Sequence, residues 1–313
     1  MELYAAKHKD TDIIMASRSG GVFTALSSLF LGGGVVYGCV LNDNFEAVHI
    51  CATEECDRDR MRGSKYVQSN LGDSFRKIKS QLEENRKVLF SGTSCQVAGL
   101  KCYLGREYTN LLCVDIVCHG VPSPKVWKSY INTYSKVIGV EFRNKIDFGW
   151  RDHRETIYTE NDKITSTTWT KLFYGGYAFR PSCYECPYKS INHPGDITIA
   201  DYWGIESAAP EYDDNKGVSL VLVNSEKGKG YFELCKAFID YKETRIEDSM
   251  QRSFIKPEER PKGREKFWHD FNNKSFSYIA RKYGDNVPKW YRYLRNVKYR
   301  FFALCRRGNT GGH

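Results

Sequence analysis

Two strand patterns alternate with two helix patterns in the middle of the chain, and this order constrains the fold most. KVLFSG (87–92) and LLCVDIVCHG (111–120) have the apolar character of buried strands. SCQVAGLKCYLG (94–105) and SPKVWKSYINTYSKV (123–137) have apolar residues at helical spacing, and Ser123 before Pro124 suits a helix start. Such alternation is typical of a parallel sheet. We therefore predict an α/β fold with a mixed, partly parallel sheet flanked by helices.

Further segments extend this pattern on both sides. SGGVFTALSSLFL (19–31) predicts a helix that ends at three glycines, ETIYTENDKITSTTW (155–169) predicts a hairpin, and GKGYFELCKAFIDY (228–241) predicts a helix. The sequence becomes basic and aromatic from about residue 251. We divide the chain into a main domain, 1–250, and a helical, basic C-terminal extension, 251–313.

Composition places the protein among globular chains without selecting a partner. The 313 residues are 41% hydrophobic, and 47 basic against 38 acidic residues give a net charge of +9. This imbalance is too mild to favour a nucleic-acid partner. VFTALSSLFLGGGVVYGCVL is interrupted by glycines and serines, so neither export nor membrane spanning is indicated. We expect a cytoplasmic protein with reduced cysteines.

Four of the eleven cysteines have the spacing of metal ligands. Cys183 and Cys186 form a C-x2-C pair, whereas Cys95 and Cys118 each follow a predicted strand. Neighbouring parallel strands bring their carboxyl ends to one edge, so we expect Cys95 and Cys118 to lie close together. One pair completed by two solitary cysteines favours a [4Fe-4S] cluster over zinc, which stays open as an alternative. The remaining cysteines are most simply packing or surface residues.

Two further segments have residue types suited to an anionic or aromatic ligand. SRSGG (17–21) places hydroxyl groups and flexible backbone before a predicted helix, and RGSKYVQS (62–69) adds basic and aromatic side chains. A helix cap and a solvated loop explain them equally well. His119 is either a proton donor beside Cys118 or a structural histidine, and no catalytic residue is assigned.

Six ordered motifs together resemble one known family. SGGVFTAL, GSKYVQS, SGTSCQVAGL, CHGVPSP, SCYECPYK and GDITIADYWG are similar to segments of the family of the beta subunit of coenzyme F420 hydrogenase and dehydrogenase. The resemblance implies an enzyme, a flavoprotein oxidoreductase whose main domain, 1–250, holds FAD and a [4Fe-4S] cluster for electron transfer. The implied cluster ligands are Cys95, Cys118, Cys183 and Cys186. The implied flavin contacts are Ser19, Gly20, Gly21, Lys65, Tyr66 and Gln68.

The resemblance also indicates which partners and substrates to expect. Many relatives carry a ferredoxin-like segment before this region, so we expect an external ferredoxin or another electron-transfer protein to exchange electrons with this chain. Ala200 stands where relatives usually have glycine, and its methyl group would crowd a nearby ligand. The substrate is then a small molecule such as a deazaflavin, or a glycan-related compound of surface polysaccharide biosynthesis.

The C-terminal segment and the identity of the bound cofactors each allow more than one interpretation. KWYRYLRNVKYRFFALCRR (289–307) suits either peripheral contact with the inner membrane face or an ordinary helix packed on the core. The alternative to the redox enzyme is a non-enzymatic four-cysteine zinc-binding protein whose basic tail binds a partner. A family member that keeps the cluster but not the flavin is a third hypothesis.

Overall fold

The computed structural model describes residues 2–285, which form two sheets and the helices around them. The strands are β1 (Glu2–His8), β2 (Val35–Leu41), β3 (Ala47–Ala52), β4 (Val88–Thr93), β5 (Leu111–Ile116), β6 (Val137–Glu141), β7 (Glu155–Thr159), β8 (Lys163–Ser166), β9 (Ile197–Asp201), β10 (Ser219–Val223) and β11 (Ile239–Glu243). The α-helices are α1 (Thr11–Ala16), α2 (Val22–Ser28), α3 (Glu55–Asp59), α4 (Ser74–Glu83), α5 (Ser94–Leu104), α6 (Pro124–Ile131), α7 (Lys145–Phe148), α8 (Thr168–Tyr174), α9 (Ile205–Ala208), α10 (Glu226–Cys235), α11 (Arg264–Asn273) and α12 (Phe276–Tyr283). Short 3-10 helices span Pro181–Glu185, Pro210–Tyr212, Ile246–Ser249 and Arg252–Phe254.

The main sheet has eight strands in the order β11-β1-β10-β9-β5-β4-β2-β3. The three central pairs, β2–β4, β4–β5 and β5–β9, are parallel. The remaining pairs on either side of them are antiparallel. A second, antiparallel sheet has the order β6-β7-β8 and contains the predicted hairpin. The predicted mixed, partly parallel α/β fold is thus confirmed.

Register brings the ends of the parallel strands to one edge of the main sheet. Thr93 at the end of β4 pairs with Ile116 at the end of β5, and Ile116 pairs in turn with Ile199 of β9. On the other side of β9, Asp201 pairs with Ser219, and Ser219 pairs with Ala6 near the end of β1. The segments that follow β1, β4, β5 and β9 therefore start from the same edge.

Local sequence explains how the helices leave this edge. Thr93 and Gln96 form a capping box, so α5 begins directly after β4. Ser123 caps α6 by accepting a hydrogen bond from the backbone N–H of Lys125, and Pro124 occupies the first turn as predicted. These caps hold the start of α5 and the segment after β5 side by side.

An aromatic cluster connects the small sheet with the last two described helices. Trp127, Tyr130 and Trp169 are buried together with Phe267 of α11 and Ile279 of α12. The described part of the predicted C-terminal extension thus packs against the rest of the chain, as helices. The segment 289–307 lies outside the described residues. Among residues 2–285, no helix has the length and apolar character needed to cross a bilayer.

Two sequence-based expectations differ from the structure in their bounds. The helix expected over 19–31 begins only at Val22, because Gly21 adopts a left-handed φ of 87° at its N-cap. The helix expected over 228–241 ends at Cys235, and residues from Ile239 form β11. Strand β11 pairs with β1, a long-range interaction that helical spacing in a single segment does not reveal.

Candidate functional site

A cavity of about 1110 Å³ opens at the carboxyl edge of the parallel strands. It brings together segments that lie far apart in the sequence, including the loop before α2, the loop after α3, the start of α5 and the segment after β5. The predicted site residues that line it are Ser19, Gly21, Lys65, Tyr66, Gln68, Cys95, Cys118 and Cys183. Gly20 lies between the lining residues Ser19 and Gly21, and Cys186 follows the lining residue Cys183 by three positions. Neither Gly20 nor Cys186 itself lines the cavity.

The four predicted metal ligands come from three structural elements. Cys95 is an exposed residue in the first turn of α5, and Cys118 follows β5 by two residues. Cys183 lies in the 3-10 helix Pro181–Glu185, and Cys186 ends it. Because β4 and β5 are adjacent and parallel, Cys95 and Cys118 leave the same edge of the sheet, as predicted.

The thiols influence one another electrostatically. Burial raises the pKa of Cys118 to about 12, and negative charge on Cys183 and Cys95 adds to this effect, whereas Lys189 opposes it. Burial also raises the pKa of Cys183, and Cys95 and Cys186 contribute in the same direction. Four thiolates in this region would repel each other, so their joint ionisation requires a positively charged centre between them.

The four predicted ligands do not form a closed metal site. Within residues 2–285, no three histidine, cysteine or acidic side chains converge closely enough to hold a metal ion. A zinc ion would hold four sulfurs at about 2.3 Å, and a cluster of four irons would hold its thiolates further apart. In either case the cysteine side chains would have to close around the metal.

The SRSGG segment is held against the start of β10. The Ser19 hydroxyl donates a hydrogen bond to the carbonyl of Val218 at 2.6 Å, and the Gly20 N–H donates to the Ser219 hydroxyl at 2.9 Å. A side chain on Gly20 would meet the Ala6 carbonyl oxygen at 2.3 Å. Glycine is therefore required for close packing at position 20, while Ser19 and Gly21 on either side of it line the cavity.

Lys65 and Tyr66 shape the cavity wall in different ways. The Lys65 ammonium lies 2.8–3.2 Å from the carbonyl oxygens of residues 60–63, so it closes the loop after α3. The Tyr66 ring stacks on Phe173 with centroids 4.3 Å apart. The backbone N–H of Gln68 donates to the Pro122 carbonyl at 3.1 Å, which ties this loop to the segment after Cys118.

A buried ion pair forms another part of the wall. Arg143 pairs with Asp201 at the end of β9, and the indole N–H of Trp150 donates to the same carboxylate at 2.8 Å. The Trp150 ring stacks on Trp203 with centroids 5.0 Å apart. Burial disfavours the charge of Asp201, but Arg143, Trp150 and Arg18 outweigh this effect and hold its pKa below the ordinary value.

Several polar atoms of cavity-lining residues are buried and have no partner among the described residues. They are Ser17 Oγ, Arg18 Nε, His49 Nδ1 and His119 Nε2. Unsatisfied buried polar atoms are costly and rare in folded proteins, and four of the eight found among the described residues belong to the lining of this cavity. A bound ligand with its own hydrogen-bonding groups would satisfy them.

Two histidines in this group are neutral at pH 7. Burial lowers the pKa of His49 to about 4, and its Nε2 lies 3.1 Å from the Ser91 carbonyl oxygen. That oxygen only accepts, so Nε2 carries the proton and Nδ1 is left as an acceptor. Burial, with Lys189 and Arg252, also lowers the pKa of His119 to about 4, and its ring lies among Phe173, Tyr174 and Phe179.

Sequence reasoning missed several residues of this site. Arg143, His49 and Phe173 had no local signal, because each reaches the cavity only through long-range packing. Arg18 lay within SRSGG, but the interpretation rested on its hydroxyl and glycine neighbours. Asp201 and Trp203 belong to the GDITIADYWG motif, and both line the cavity together with Ala200.

The fold and the cavity define an α/β protein with a basic and aromatic ligand site next to a group of cysteines. Residues 85–248 match the model of a family described as the C terminus of the beta subunit of coenzyme F420 hydrogenase/dehydrogenase. This match covers more than half of the 313 residues. The chain belongs to this family, as its motifs predicted.

A curated relative and a solved structure agree with this assignment. One component of the F(420)H(2) dehydrogenase of Methanosarcina mazei is 24% identical over 246 residues, which are 75% of this chain and 63% of the relative. The chain thus spans less than two thirds of that protein's length. A chain of the F420-reducing [NiFe] hydrogenase complex from Methanosarcina barkeri is 19% identical with a TM-score of 0.51, covering 77% of this chain and 81% of that chain. This second likeness supports the fold alone.

Proposed function

We propose that this protein is an oxidoreductase that binds FAD in the cavity and a [4Fe-4S] cluster at the four cysteines. The observation that carries the proposal is that five predicted flavin contacts and three predicted cluster ligands line one continuous cavity. Two redox groups bound there would be close neighbours. Neither the cysteines nor the basic and aromatic wall alone would favour this function over simple ligand binding.

The size of the cavity supports a ligand as large as a dinucleotide cofactor. Single small-molecule sites usually occupy about 300–1,000 Å³. The cavity, at about 1110 Å³, lies just above this range.

The chemistry of the wall supports a flat, anionic ligand. Arg18 and Arg62 line the cavity and offer positive charge for a pyrophosphate, while Tyr66 and Trp203 offer aromatic surfaces for a ring system. The ammonium of Lys65 is bound to backbone carbonyl oxygens, so Lys65 would act by shaping the loop around the ligand. Burial and the neighbouring Arg143 lower the pKa of Arg18 to about 10, so Arg18 is still charged at pH 7. An anion beside Arg18 would remove part of this repulsion.

In this proposal the chain positions the reacting groups and controls protons. When bound, the flavin supplies hydride exchange and the cluster supplies single-electron transfer. Burial lowers the pKa of His119 to about 4, so its ring would be neutral at pH 7, and its unpartnered Nε2 would be available for a hydrogen bond with a bound group. The aromatic side chains around it, Phe173 and Phe179, exclude water from that side of the cavity.

The names of the relatives suggest the substrate and partner classes. Both are components of enzymes that act on coenzyme F420, so a deazaflavin is the first substrate to test. A glycan-related compound is the second substrate class to test. An external ferredoxin or a similar electron-transfer protein would exchange electrons through the cysteine side of the cavity, where Cys95 is exposed. Contact of the segment 289–307 with a membrane is also a prediction, outside the described residues.

Cofactor analysis of the full chain tests the proposal. We expect anaerobically purified and reconstituted protein to contain iron and sulfide in the ratio of a [4Fe-4S] cluster, with one FAD per chain. Its absorbance spectrum should show flavin bands above a broad iron–sulfur absorption. Zinc without flavin, iron or sulfide would contradict the proposal and support the zinc-binding alternative. Iron and sulfide without FAD would support the cluster-only hypothesis.

A pair of substitutions separates the two parts of the site. Tyr66→Ala removes an aromatic surface of the cavity and should weaken FAD binding by about tenfold, in line with 1–3 kcal/mol for an aromatic stacking contact. Iron content should not change. The control is Tyr103→Ala, because Tyr103 is 48% exposed and does not line the cavity. Equal FAD affinity in the two variants would contradict the assignment of Tyr66.

A further inference from the structure

Lys189 is a buried lysine beside the proposed cluster ligands. It follows Cys186 by three residues, and only 7% of it is exposed. Its ammonium donates hydrogen bonds to the carbonyl oxygen of His119 and to the hydroxyl of Ser253, each at 3.1 Å. Both acceptors are neutral. The first belongs to the residue directly after Cys118, so the ammonium connects two of the cysteine-bearing segments.

The charge of Lys189 has no carboxylate partner within the described part of the chain. Glu258 is an acidic group that raises the pKa of Lys189, but its carboxylate lies 3.5 Å from Arg252 and 3.3 Å from the ring of His119. Buried lysines are almost always paired, because an isolated charge in a protein interior is strongly unfavourable. The other groups whose negative charge would act on Lys189 are the sulfur atoms of Cys118, Cys186 and Cys183, once they bind a metal.

Two features place the ammonium of Lys189 beside the segments that carry the cysteines. Its hydrogen bond to the His119 carbonyl holds it next to the residue that follows Cys118, and three positions of chain separate Lys189 from Cys186. A negatively charged cluster bound by these segments would supply the counter-charge that the lysine otherwise lacks, because charges attract strongly in a protein interior.

We propose that Lys189 is a positioning residue that compensates the negative charge of the cysteine-bound cluster and makes the cluster easier to reduce. The inference rests on the proposed function, because it requires a cluster at these cysteines. One-electron reduction adds one negative charge to the cluster, with no bond formed or broken and no proton taken up. A fixed ammonium nearby stabilises the more negative, reduced state. Its two hydrogen bonds hold the ammonium in place through both states.

The test is the reduction potential of the cluster in three full-length variants and the wild type. Lys189→Gln removes the charge and keeps a hydrogen-bond donor, whereas Lys189→Arg keeps the charge. The control Lys229→Gln changes a half-exposed lysine that pairs with Glu2 at 2.7 Å, outside the cavity lining. Each reconstituted protein is titrated with dithionite while the reduced cluster is followed by electron paramagnetic resonance.

We expect Lys189→Gln to lower the equilibrium constant for cluster reduction about tenfold, which is 59 mV for a one-electron couple. Lys189→Arg and Lys229→Gln should stay near the wild-type value. An unchanged potential in Lys189→Gln with wild-type iron content would overturn the inference and leave the proposed function intact. A wild-type protein that takes up no iron and sulfide would instead overturn the proposed function.

One further outcome is also decisive. If Lys189→Gln takes up no cluster, recovery of the cluster in Lys189→Arg would support the requirement for positive charge. If neither variant takes up a cluster while the wild type does, the site requires the shape of lysine itself, and this outcome would overturn the charge-compensation role.

Discussion

Arg143 and Asp201 form a buried ion pair that joins the small sheet region to the end of β9. Their side chains are 2% and 14% exposed, and the carboxylate also accepts the indole N–H of Trp150. Arg143 further donates to the Trp150 carbonyl oxygen at 2.7 Å and lies 5.2 Å above the ring of Trp203. The pair thus supports part of the cavity wall, which both residues line.

Asp201→Asn should destabilise the fold strongly. The substitution leaves the buried guanidinium of Arg143 without its counter-charge, and breaking a buried pair in this way costs about 3–5 kcal/mol. Urea unfolding of wild type and variant measures the change. The control is Glu160→Gln, which breaks an exposed pair with Lys136 at 2.6 Å and should cost at most about 1 kcal/mol. An equal loss of unfolding free energy in the two variants would show that the buried Arg143–Asp201 pair stabilises the fold no more than an exposed pair.

Gly20→Ala should disturb the loop that carries Ser19 and Gly21. A β-carbon at position 20 would lie 2.3 Å from the Ala6 carbonyl oxygen and 2.7 Å from the Ser219 nitrogen, so backbone must move. We expect a loss of about 1–3 kcal/mol, the usual cost of overpacking. The matched control is Gly33→Ala, where nothing lies within 4 Å of the added carbon, and its effect should stay within about 1 kcal/mol. Unfolding free energies that do not differ between these variants would contradict the prediction.

His49 should make stability depend on pH below neutrality. Burial lowers its pKa in the folded protein to about 4 from an ordinary value of 6.5. Between these values the unfolded chain binds a proton that the folded protein does not, so stability falls as the pH is lowered from 7 towards 4. The contribution of this residue between pH 7 and 5 is about 1–2 kcal/mol. Stability profiles of wild type and His49→Gln should therefore converge as the pH decreases, and parallel profiles would rule out a buried neutral His49.

The sequence was sufficient for the parts of the site that depend on local patterns. The alternation around Cys95 and Cys118 predicted adjacent parallel strands, and β4 and β5 place both cysteines at one edge. The cap at Ser123 also follows from short-range residue preferences. Such features depend on residues within one turn or one strand, so a single sequence contains their signal.

Long-range contacts of the site cannot be read from local sequence patterns in the same way. Arg143 reaches Asp201 across 58 positions, and the ammonium of Lys189 reaches the His119 carbonyl across 70. The residues 239–241 continue the helical spacing of α10, but pairing with β1 makes them a strand. Each of these outcomes depends on which distant segments become neighbours in the folded chain, and tertiary contacts then override local preference.

The most direct test of the shared redox site compares two cysteines on the same helix. Cys95 and Cys102 are both exposed residues of α5, but only Cys95 lines the cavity. Iron, sulfide and FAD are quantified per chain in anaerobically reconstituted Cys95→Ala, Cys102→Ala and wild type. We predict that Cys95→Ala loses the intact cluster while Cys102→Ala retains wild-type iron and FAD. A full iron and sulfide content in Cys95→Ala, with the wild-type spectrum, would contradict the ligand set and the account built on it.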